Sequence, residues 1–414
     1  MDNKTLSSRL RELVKFLSTV KGDLANVTGP PSLLAPSSVV EVGHCWAQHP
    51  AVFAAPALEP CPQKRTLLVL RWFLIALRSQ LYTGVDFSSA SITPTKPKAS
   101  GSSSLPSIRK PLNAFLGELF FARWTDAERK CATSLVAEQV SHHPPITAMH
   151  VSDREHGVRA DGYARVEMSF NGAVNVRQLG HAVYAIDRYR EEYLVPLPDV
   201  RVRGFLSGCM YPEIVGTYHI VSSAGFVVEV RFSGEGMLMR GKRNWFEARV
   251  YSKEDRTKES LYEVSGCWSE GWTVREGRTG DVLEVYEVDA PENAPVPMEI
   301  EPVERQDPWE SRRAWDGVLR GLKKGDMRMV VEEKTKIEQA QRQMRASEAA
   351  RGVKWEPLLF RSGPGEEHHV FHRLSEDLGW PLHHEKTKGV WKVDDEGVRN
   401  LQRPFRAEVT PFGY

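Results

Sequence analysis

The stretch from Val158 to Phe170 constrains the fold most, because it alternates almost without interruption between apolar and polar side chains. A period of two residues is typical of a β-strand with one face buried. Three later stretches, 226–232, 245–251 and 262–268, alternate in the same way, with glycine-containing turns between them. Several alternating strands at regular spacing predict an antiparallel barrel or sandwich, and a barrel with enough strands can enclose a ligand.

Helical spacing of apolar residues predicts an amphipathic helix over residues 5–20. Its apolar positions are Leu6, Leu10, Leu13, Leu17 and Val20. Such a helix either packs on the body of the protein or serves as a movable cover that hides an apolar cavity and touches lipid when open. Further helices are predicted over 65–82 and from about 326 to 350, whereas 355–414 looks polar and irregular.

Length, charge and cysteine content limit the class of protein. A chain of 414 residues can bury a large core in one domain with satellites, or in two to three domains. A net charge of +1 argues against a general nucleic-acid binder. Five widely spaced cysteines fit reduced thiols in the cytosol, and we expect no secretory leader. The most apolar run, Leu67 to Leu77, is interrupted by Arg71 and is too short to span a bilayer.

Residues 138–145 read Glu-Gln-Val-Ser-His-His-Pro-Pro and place two adjacent histidines before two prolines. The prolines forbid helix continuation, so His142 and His143 are expected in an extended or turning segment, with rings that point in divergent directions. Three interpretations compete: a polar loop, a metal site with His150 as the nearest further ligand, and an anion site in which the imidazoles donate to phosphate oxygens.

The long predicted helix carries Lys334, Glu338 and Arg342 at a spacing of four, which places them on one face. Alone, this pattern fits a surface salt-bridge ladder as well as it fits a ligand site. The C-terminal segment is rich in histidine, and a solvated surface is favoured there over a metal cluster. These histidines are His368, His369, His372, His383 and His384.

Enzyme motifs are not convincing. Ser141 and His142 are too constrained by adjacency to form a nucleophile–base pair, and no Gly-x-Ser-x-Gly elbow occurs. Residues 236–243 imitate a phosphate loop, but Arg243 stands where Ser or Thr would hold magnesium. We therefore predict no enzymatic activity, no metal and no cofactor.

Three segments together resemble the oxysterol-binding-protein-related family of lipid-transfer proteins. Residues 138–145 match one family motif, and Lys-Pro-Leu-Asn-Ala-Phe-Leu-Gly-Glu at 110–118 is similar to a second, with Ala114 in place of the usual proline. Lys334, Glu338 and Arg342, followed by Trp355, resemble a third. Residues 45–50 are similar to the short fungal members, which consist of the ligand-binding domain alone.

The resemblance implies an α+β fold: an incomplete antiparallel β-barrel enclosing a hydrophobic tunnel, with an N-terminal helical lid and a C-terminal helical subdomain. The lid is expected over 1–29, and an N-terminal helical segment over 30–109 with a flexible insertion at 88–108. The barrel core is expected over 110–288 and the C-terminal subdomain over 289–414.

The resemblance also implies two sets of ligand-binding residues. The phosphoinositide set comprises Lys110, Asn113, Glu118, His142, His143, Lys334, Glu338 and Arg342. The sterol set comprises Trp46, Gln80 and Gln178, whereas Ala164 stands where similar proteins have asparagine. Loss of that amide either weakens sterol binding or leaves space for a water.

The implied function is exchange of sterol and phosphatidylinositol 4-phosphate between membranes through one tunnel. Alternatives are a sensor of lipid occupancy with little net transfer, and a carrier of another lipid, such as phosphatidylserine, in place of sterol. We expect a cytoplasmic monomer that binds no nucleic acid. By family resemblance it would touch organelle membranes of the Golgi and endoplasmic reticulum transiently, from the aqueous side.

Overall fold

The structure is a computed structural model that describes residues 34–81, 110–204, 211–234, 242–363 and 366–413. The predicted lid at 1–29, with Leu6, Leu10, Leu13, Leu17 and Val20, lies outside these residues, as does the insertion at 88–108.

A large antiparallel sheet dominates the described residues, as the alternating stretches predict. Its strands are β3 (Leu119–Asp126), β4 (Cys131–His142), β5 (Pro145–Asp153), β6 (Val158–Phe170), β7 (Val174–Ile186), β8 (Glu191–Val195), β9 (Val200–Arg203), β10 (Tyr211–Ile214), β11 (Gly216–Ser222), β12 (Phe226–Ser233), β13 (Trp245–Ser252), β14 (Tyr262–Cys267), β15 (Gly271–Glu276) and β16 (Val282–Glu287). The 14 strands run from β3 at one edge to β16 at the other, and the β9–β10 hairpin pairs beside β7. Since β3 and β16 do not pair with each other, the barrel is incomplete, and the predicted fold class is confirmed.

Within the described residues before this sheet lie three α-helices: α1 (His44–Ala47), α2 (Pro50–Leu58) and α3 (Pro62–Leu81). They pack on the face of the sheet that we call the inner face. The shared core includes Phe53 and Trp72 from the helices and Ala160, Tyr184 and Val228 from the strands. Among the described residues, no helix has both the length and the apolar character needed to cross a membrane.

Strand β6 shows how alternation divides the sheet into two faces. Val158 and Ala160 lie in the inner-face core, whereas Tyr163 packs in a separate cluster on the opposite, outer face. Gly162 lies on the inner face against Trp46, and a Cβ atom added there would stand 2.3 Å from the indole. The glycine therefore makes room for the indole ring within the strand.

The C-terminal part covers the outer face. Its elements are α4 (Ser311–Ala314), α5 (Asp316–Lys324), α6 (Met327–Arg351), β17 (Phe360–Gly363), α7 (Glu366–Ser375), α8 (His384–Thr387), β18 (Val390–Val393) and α9 (Asp395–Asn400). Apolar residues of α6, including Val330, Ile337 and Met344, pack in one cluster with Val140 and Ile146 of the sheet. Helix α6 is thereby held close to the histidine pair.

Two short pairings complete the fold. Strand β1 (Leu34–Ser38) pairs in parallel with β2 (Lys110–Leu112), and β17 pairs with β18. The expectation of an irregular C-terminal segment is wrong, since 355–413 contains two strands and three helices. These elements are short and depend on tertiary packing: Phe371 of α7, for example, is buried against Leu194 and Val221 of the sheet.

Candidate functional site

A one-residue β-bulge sets the direction of His142. Gln139 pairs with Thr147, but Ser141 pairs with Ile146 and His142 with Pro145, so Val140 is an extra residue in β4. A bulge of this kind shifts the alternation of faces by one residue. As a result, His142, at the end of β4, lies on the same face of the strand as Gln139, three residues before it.

The two imidazoles contact one another and do not diverge as the sequence predicted. Their ring centroids are 4.6 Å apart, with the ring planes at 65°. His142 Nδ1 lies 3.0 Å from the carbonyl oxygen of Ala114, which belongs to the segment 110–118. Burial, together with the neighbouring His143, lowers the pKa of His142 below its ordinary value. His142 is half-buried and His143 is exposed, so the pair lies at the surface end of its strand.

Helix α6 places the three predicted charged residues in contact. Lys334 Nζ donates a hydrogen bond to Glu338 Oε1, and Arg342 Nη2 lies 3.9 Å from Glu338 Oε2. The Lys334 side chain is only 9% exposed, whereas that of Arg342 is 79% exposed. A buried lysine is not typical of a surface salt-bridge ladder, because desolvating an ammonium group is costly. This burial favours the ligand-site interpretation.

Electrostatic interactions link the helix to His142. Burial lowers the pKa of His142 most, while Glu338 acts to raise this pKa and Arg345 acts to lower it, so both residues lie within electrostatic range of the imidazole. Three segments distant in the sequence, 110–118, 138–145 and 334–345, therefore meet around His142. We call this the headgroup site.

The remaining predicted residues of this set lie on the segment 110–118. Lys110 begins β2 and, like Asn113, is half-buried. Glu118 is fully buried, and its Oε2 accepts hydrogen bonds of 3.0 Å from the Phe115 backbone and from Trp315 Nε1. Burial raises the pKa of Glu118 to about 7. Its hydrogen bonds hold the turn at 115–118 in place, so any effect of Glu118 on a ligand would pass through that turn.

Arg345 is a candidate that the sequence reasoning missed. Its Nη2 donates to Glu348 Oε1 over 2.9 Å, while the buried Nε and Nη1 atoms have no hydrogen-bond partner among the described residues. Burial lowers the pKa of this guanidinium. Arg345 follows Glu338 by seven residues, which is about two helical turns and the same face. This spacing of seven is the sequence signal that marks Arg345, which lies outside the spacing of four that relates Lys334, Glu338 and Arg342.

Glu138, the first residue of the histidine motif, has an anchoring role. Its two carboxylate oxygens each accept a 2.8 Å hydrogen bond, from the backbone N–H groups of Leu358 and Leu359. Arg406 lies 3.6 Å from the same carboxylate and stacks between Trp309 and Trp355, 5.1 Å from each ring centroid. Glu138 thus fixes the chain that follows α6 to the strand that carries the histidines.

The predicted sterol residues lie on the inner face. Gln80 Nε2 donates to Gln178 Oε1 over 2.9 Å, and Gln178 Nε2 donates to the Pro198 carbonyl over 2.6 Å. Trp46 is buried in the inner-face core beside Gly162. Ala164 lies two residues beyond Gly162 on the same strand and pairs with Gly180. The structure therefore places a polar pair of glutamines on a largely apolar face.

The other histidines have separate partners. His150 Nδ1 lies 2.9 Å from Asp161 Oδ1, so this nitrogen is engaged with a carboxylate. On the C-terminal segment, the His368 ring centroid is 6.3 Å from that of His372 and 5.7 Å from that of His384. His372 and His384 are exposed, in keeping with the predicted histidine-rich surface.

Comparison with protein families gives a match to the model named "Oxysterol-binding protein" over residues 98–396. The chain is 44% identical over 402 residues to "Probable transporter efuK" from Hormonema carpetanum, covering 97% of this chain and 54% of that protein. It thus spans about half the length of that relative. It is 32% identical over 360 residues to "Protein kes1" from Schizosaccharomyces pombe, covering 86% of this chain and 87% of the relative.

Solved structures show the same fold at low sequence identity. The ORD domain of Osh1 in complex with cholesterol has a TM-score of 0.66 at 18% identity, covering 93% of this chain and 86% of that one. The ORD of Osh3 in complex with PI(4)P, from Saccharomyces cerevisiae, has a TM-score of 0.62 at 17% identity, covering 89% and 94%. Both likenesses concern the arrangement of the sheet and its surrounding helices.

Proposed function

The chain belongs to the oxysterol-binding protein family, and we propose that it exchanges sterol and phosphatidylinositol 4-phosphate between membranes. This family comprises lipid-binding and lipid-transfer proteins and not known enzymes. The observation that carries the proposal is the meeting of segments 110–118, 138–145 and 334–345 around His142. Sequence-distant donors and cations gathered at one point are what recognition of a phosphorylated headgroup requires.

The charges of the headgroup site suit a phosphate monoester, which carries about −1.5 to −2 charges at neutral pH. Lys334 and Arg342 flank Glu338, which orients both, and Lys110 lies on the segment that contacts His142. Each charge-assisted hydrogen bond to the phosphate contributes about 1.5–3 kcal/mol. Several such bonds discriminate a phosphorylated inositol lipid from a lipid with an uncharged headgroup.

Arg345 adds a further donor to this proposal. A buried guanidinium with Nε and Nη1 unpaired among the described residues is costly, because desolvated donors without acceptors lose free energy. A phosphate or inositol oxygen placed beside His142 would supply the acceptor. We therefore assign Arg345 to the headgroup site together with the residues predicted from the sequence.

The second ligand is recognised by a different part of the molecule in this proposal. The glutamine pair, Gln80 and Gln178, lies on the inner face, where a largely apolar lipid with one hydroxyl could place its polar end. Removing several hundred Å² of sterol surface from a bilayer into water costs on the order of 10 kcal/mol at about 25 cal/mol per Å². An enclosed apolar face offsets this cost during transit. The segment 1–29 is the proposed cover.

Transfer of labelled lipids between donor and acceptor liposomes tests the proposal. We expect the protein to accelerate transfer of both sterol and phosphatidylinositol 4-phosphate, with transfer of one stimulated by a gradient of the other. Binding of both lipids without accelerated transfer would favour the sensor instead. Transfer of phosphatidylserine in place of sterol would identify the alternative carrier.

A paired-histidine substitution tests the headgroup site. His142→Ala with His143→Ala removes two donors, so binding of phosphatidylinositol 4-phosphate should fall by at least about a hundredfold. Sterol uptake should persist. The matched control is His383→Ala with His384→Ala, which removes another adjacent pair from the C-terminal part and should leave both ligands bound. Equal loss of both ligands in the first variant would indicate a folding role and contradict the assignment.

A further inference from the structure

Three metal-ligating side chains converge at the opposite end of the β4–β5 hairpin from His142. Cys131 begins β4, Asp153 ends β5, and His156 lies in the turn between β5 and β6. One ligand atom from each residue lies within 4.8 Å of the other two. The three residues lie far from the headgroup site, because the length of β4 separates Cys131 from His142.

The three side chains are ordered before any ion binds. Asp153 Oδ2 lies 2.9 Å from His156 Nδ1, and its Oδ1 accepts a 3.1 Å hydrogen bond from the His156 backbone N–H. The Cys131 thiol donates to the Arg129 carbonyl over 3.2 Å. Cys131 is 5% exposed and Asp153 is 1% exposed, so neither side chain has much freedom to move away.

The local charge favours a cation. Besides Asp153, the carboxylate of Glu155 lies near Cys131. Asp126 and Arg129 lie near it as well, but their opposite charges offset each other, since Arg129 Nη1 lies 3.2 Å from Asp126 Oδ2. A buried carboxylate beside the thiol, with a second carboxylate close by, makes the cluster attractive to a divalent ion and unattractive to an anion.

We propose that Cys131, Asp153 and His156 form a binding site for a zinc-class divalent cation. Thiolate, imidazole and carboxylate are the ligands that zinc takes in proteins, and a three-ligand site completes its tetrahedron with water. On binding, the Cys131 thiol releases one proton. The proton that His156 Nδ1 shares with Asp153 moves to Nε2, which leaves Nδ1 free to ligate the ion.

The site would act as a structural link. Cys131 follows the β3–β4 turn, whereas Asp153 and His156 flank the start of the β5–β6 turn, and a bound ion would join these two turns. Because binding to the folded form alone adds to stability, the joined turns should resist thermal unfolding more strongly when zinc is present.

Cobalt binding to the full chain, stripped of metal by a chelator, tests the site. We expect one Co²⁺ per chain, with a thiolate-to-cobalt absorption band that zinc abolishes by competition. Cys131→Ser should remove the band. His156→Gln should weaken cobalt binding at least about tenfold, because even the loss of a residue that only hydrogen-bonds to a metal ligand typically weakens metal binding by that factor. The control is Cys267→Ser, which removes a partly buried thiol on β14 and should leave the band intact.

Several outcomes would overturn the proposal. Absence of stoichiometric binding would do so, as would a thiolate band that survives Cys131→Ser. Cobalt binding without a thiolate band would place the ion on histidines elsewhere, such as the C-terminal group around His368. If Cys131→Ser fails to fold, His156→Gln decides, since an unchanged affinity in that variant contradicts ligation by the imidazole.

Discussion

His142 Nδ1 lies 3.0 Å from the carbonyl oxygen of Ala114, and this contact places the proton of the neutral imidazole on Nδ1 and leaves Nε2 to take up a second proton. A carbonyl only accepts, so Nδ1 carries the hydrogen. In the neutral ring, Nε2 is then an acceptor and cannot donate to a phosphate oxygen. Since the lowered pKa keeps the free imidazole neutral at pH 7, binding of a phosphate dianion should be accompanied by proton uptake.

Affinity for phosphatidylinositol 4-phosphate should therefore rise as the pH falls. In the complex, the phosphate should raise the pKa of the His142 imidazole, whereas in the free protein this pKa is lowered. The affinity should therefore increase as the pH falls from the pKa of the bound imidazole to the pKa of the free one. This increase should reach at most about tenfold per pH unit for one proton. Charged or titratable groups near His142 are His143, Glu338 and Arg345. Calorimetry in buffers of different ionisation enthalpy, from pH 8 to just above the phosphate pKa of about 6, measures the uptake.

His142→Gln provides the control for this pH dependence. The glutamine amide offers a permanent donor near the position of Nε2 and does not titrate, so binding should persist with a flatter pH profile. His143→Gln separates the contribution of the neighbouring ring. Equal affinity of the unsubstituted protein across the range, or an unchanged slope in His142→Gln, would rule out proton uptake at His142.

Replacing Arg345 by glutamine should weaken phosphatidylinositol 4-phosphate binding more than about tenfold, since one charge-assisted hydrogen bond is worth roughly 1.5–3 kcal/mol. Sterol binding should not change. Arg328→Gln is the matched control, because Arg328 lies on the same helix with its side chain 86% exposed. Liposome extraction assays with each lipid measure both affinities. If the Arg345 and Arg328 variants bind equally well, Arg345 does not belong to the headgroup site.

Glu138→Gln should destabilise the fold by about 1.5–3 kcal/mol, because the amide nitrogen cannot accept the hydrogen bond that one carboxylate oxygen receives from the backbone. The loss also leaves Arg406 without its carboxylate partner. Denaturant unfolding measures the change. Glu263→Gln, an exposed carboxylate on β14, should alter the free energy of unfolding by less than about 0.5 kcal/mol. Similar effects of the two substitutions would refute the anchoring role.

Ala164→Asn should strengthen sterol binding about two- to tenfold, the equivalent of one added net hydrogen bond of about 0.5–1.5 kcal/mol. The new amide would lie on the inner face, two residues beyond Gly162. Phosphatidylinositol 4-phosphate binding serves as the internal control and should not change. Fluorescent sterol titration reports the effect. Unaltered or weaker sterol binding would mean that the hydroxyl does not reach this strand.

The long, strongly patterned elements were predictable from sequence. Strand β6 spans Val158–Phe170, as predicted. One of its faces packs against the helices and the other lies against charged or C-terminal groups, so its apolar and polar side chains alternate along the strand. Helix α6, predicted over about 326–350, spans Met327–Arg351. It is capped by Asp326, whose side chain accepts a hydrogen bond from Met329 N–H. In both elements, local pattern and tertiary environment agree.

Elements that depend on distant contacts were not predictable. The β1–β2 pair joins segments more than 70 residues apart and is only a few residues long, so no local pattern marks it. The same holds for Arg345, whose candidacy depends on two buried nitrogens that only the packed structure reveals. The contact between the two histidine rings also escaped prediction, because His143 lies in the tight turn at 143–144, whose geometry residue types alone do not fix.

The extra residue at Val140 has a consequence for how the histidine motif tolerates change in length. Gln139 pairs with Thr147 and His142 with Pro145, with one residue more between the paired positions on β4 than on β5. Deleting Val140 would remove that surplus, restore the ordinary two-residue repeat and keep His142 opposite Pro145, so its contact with Ala114 should persist. The segment between Gln139 and His142 can therefore lose one residue without turning the imidazole away from the headgroup site.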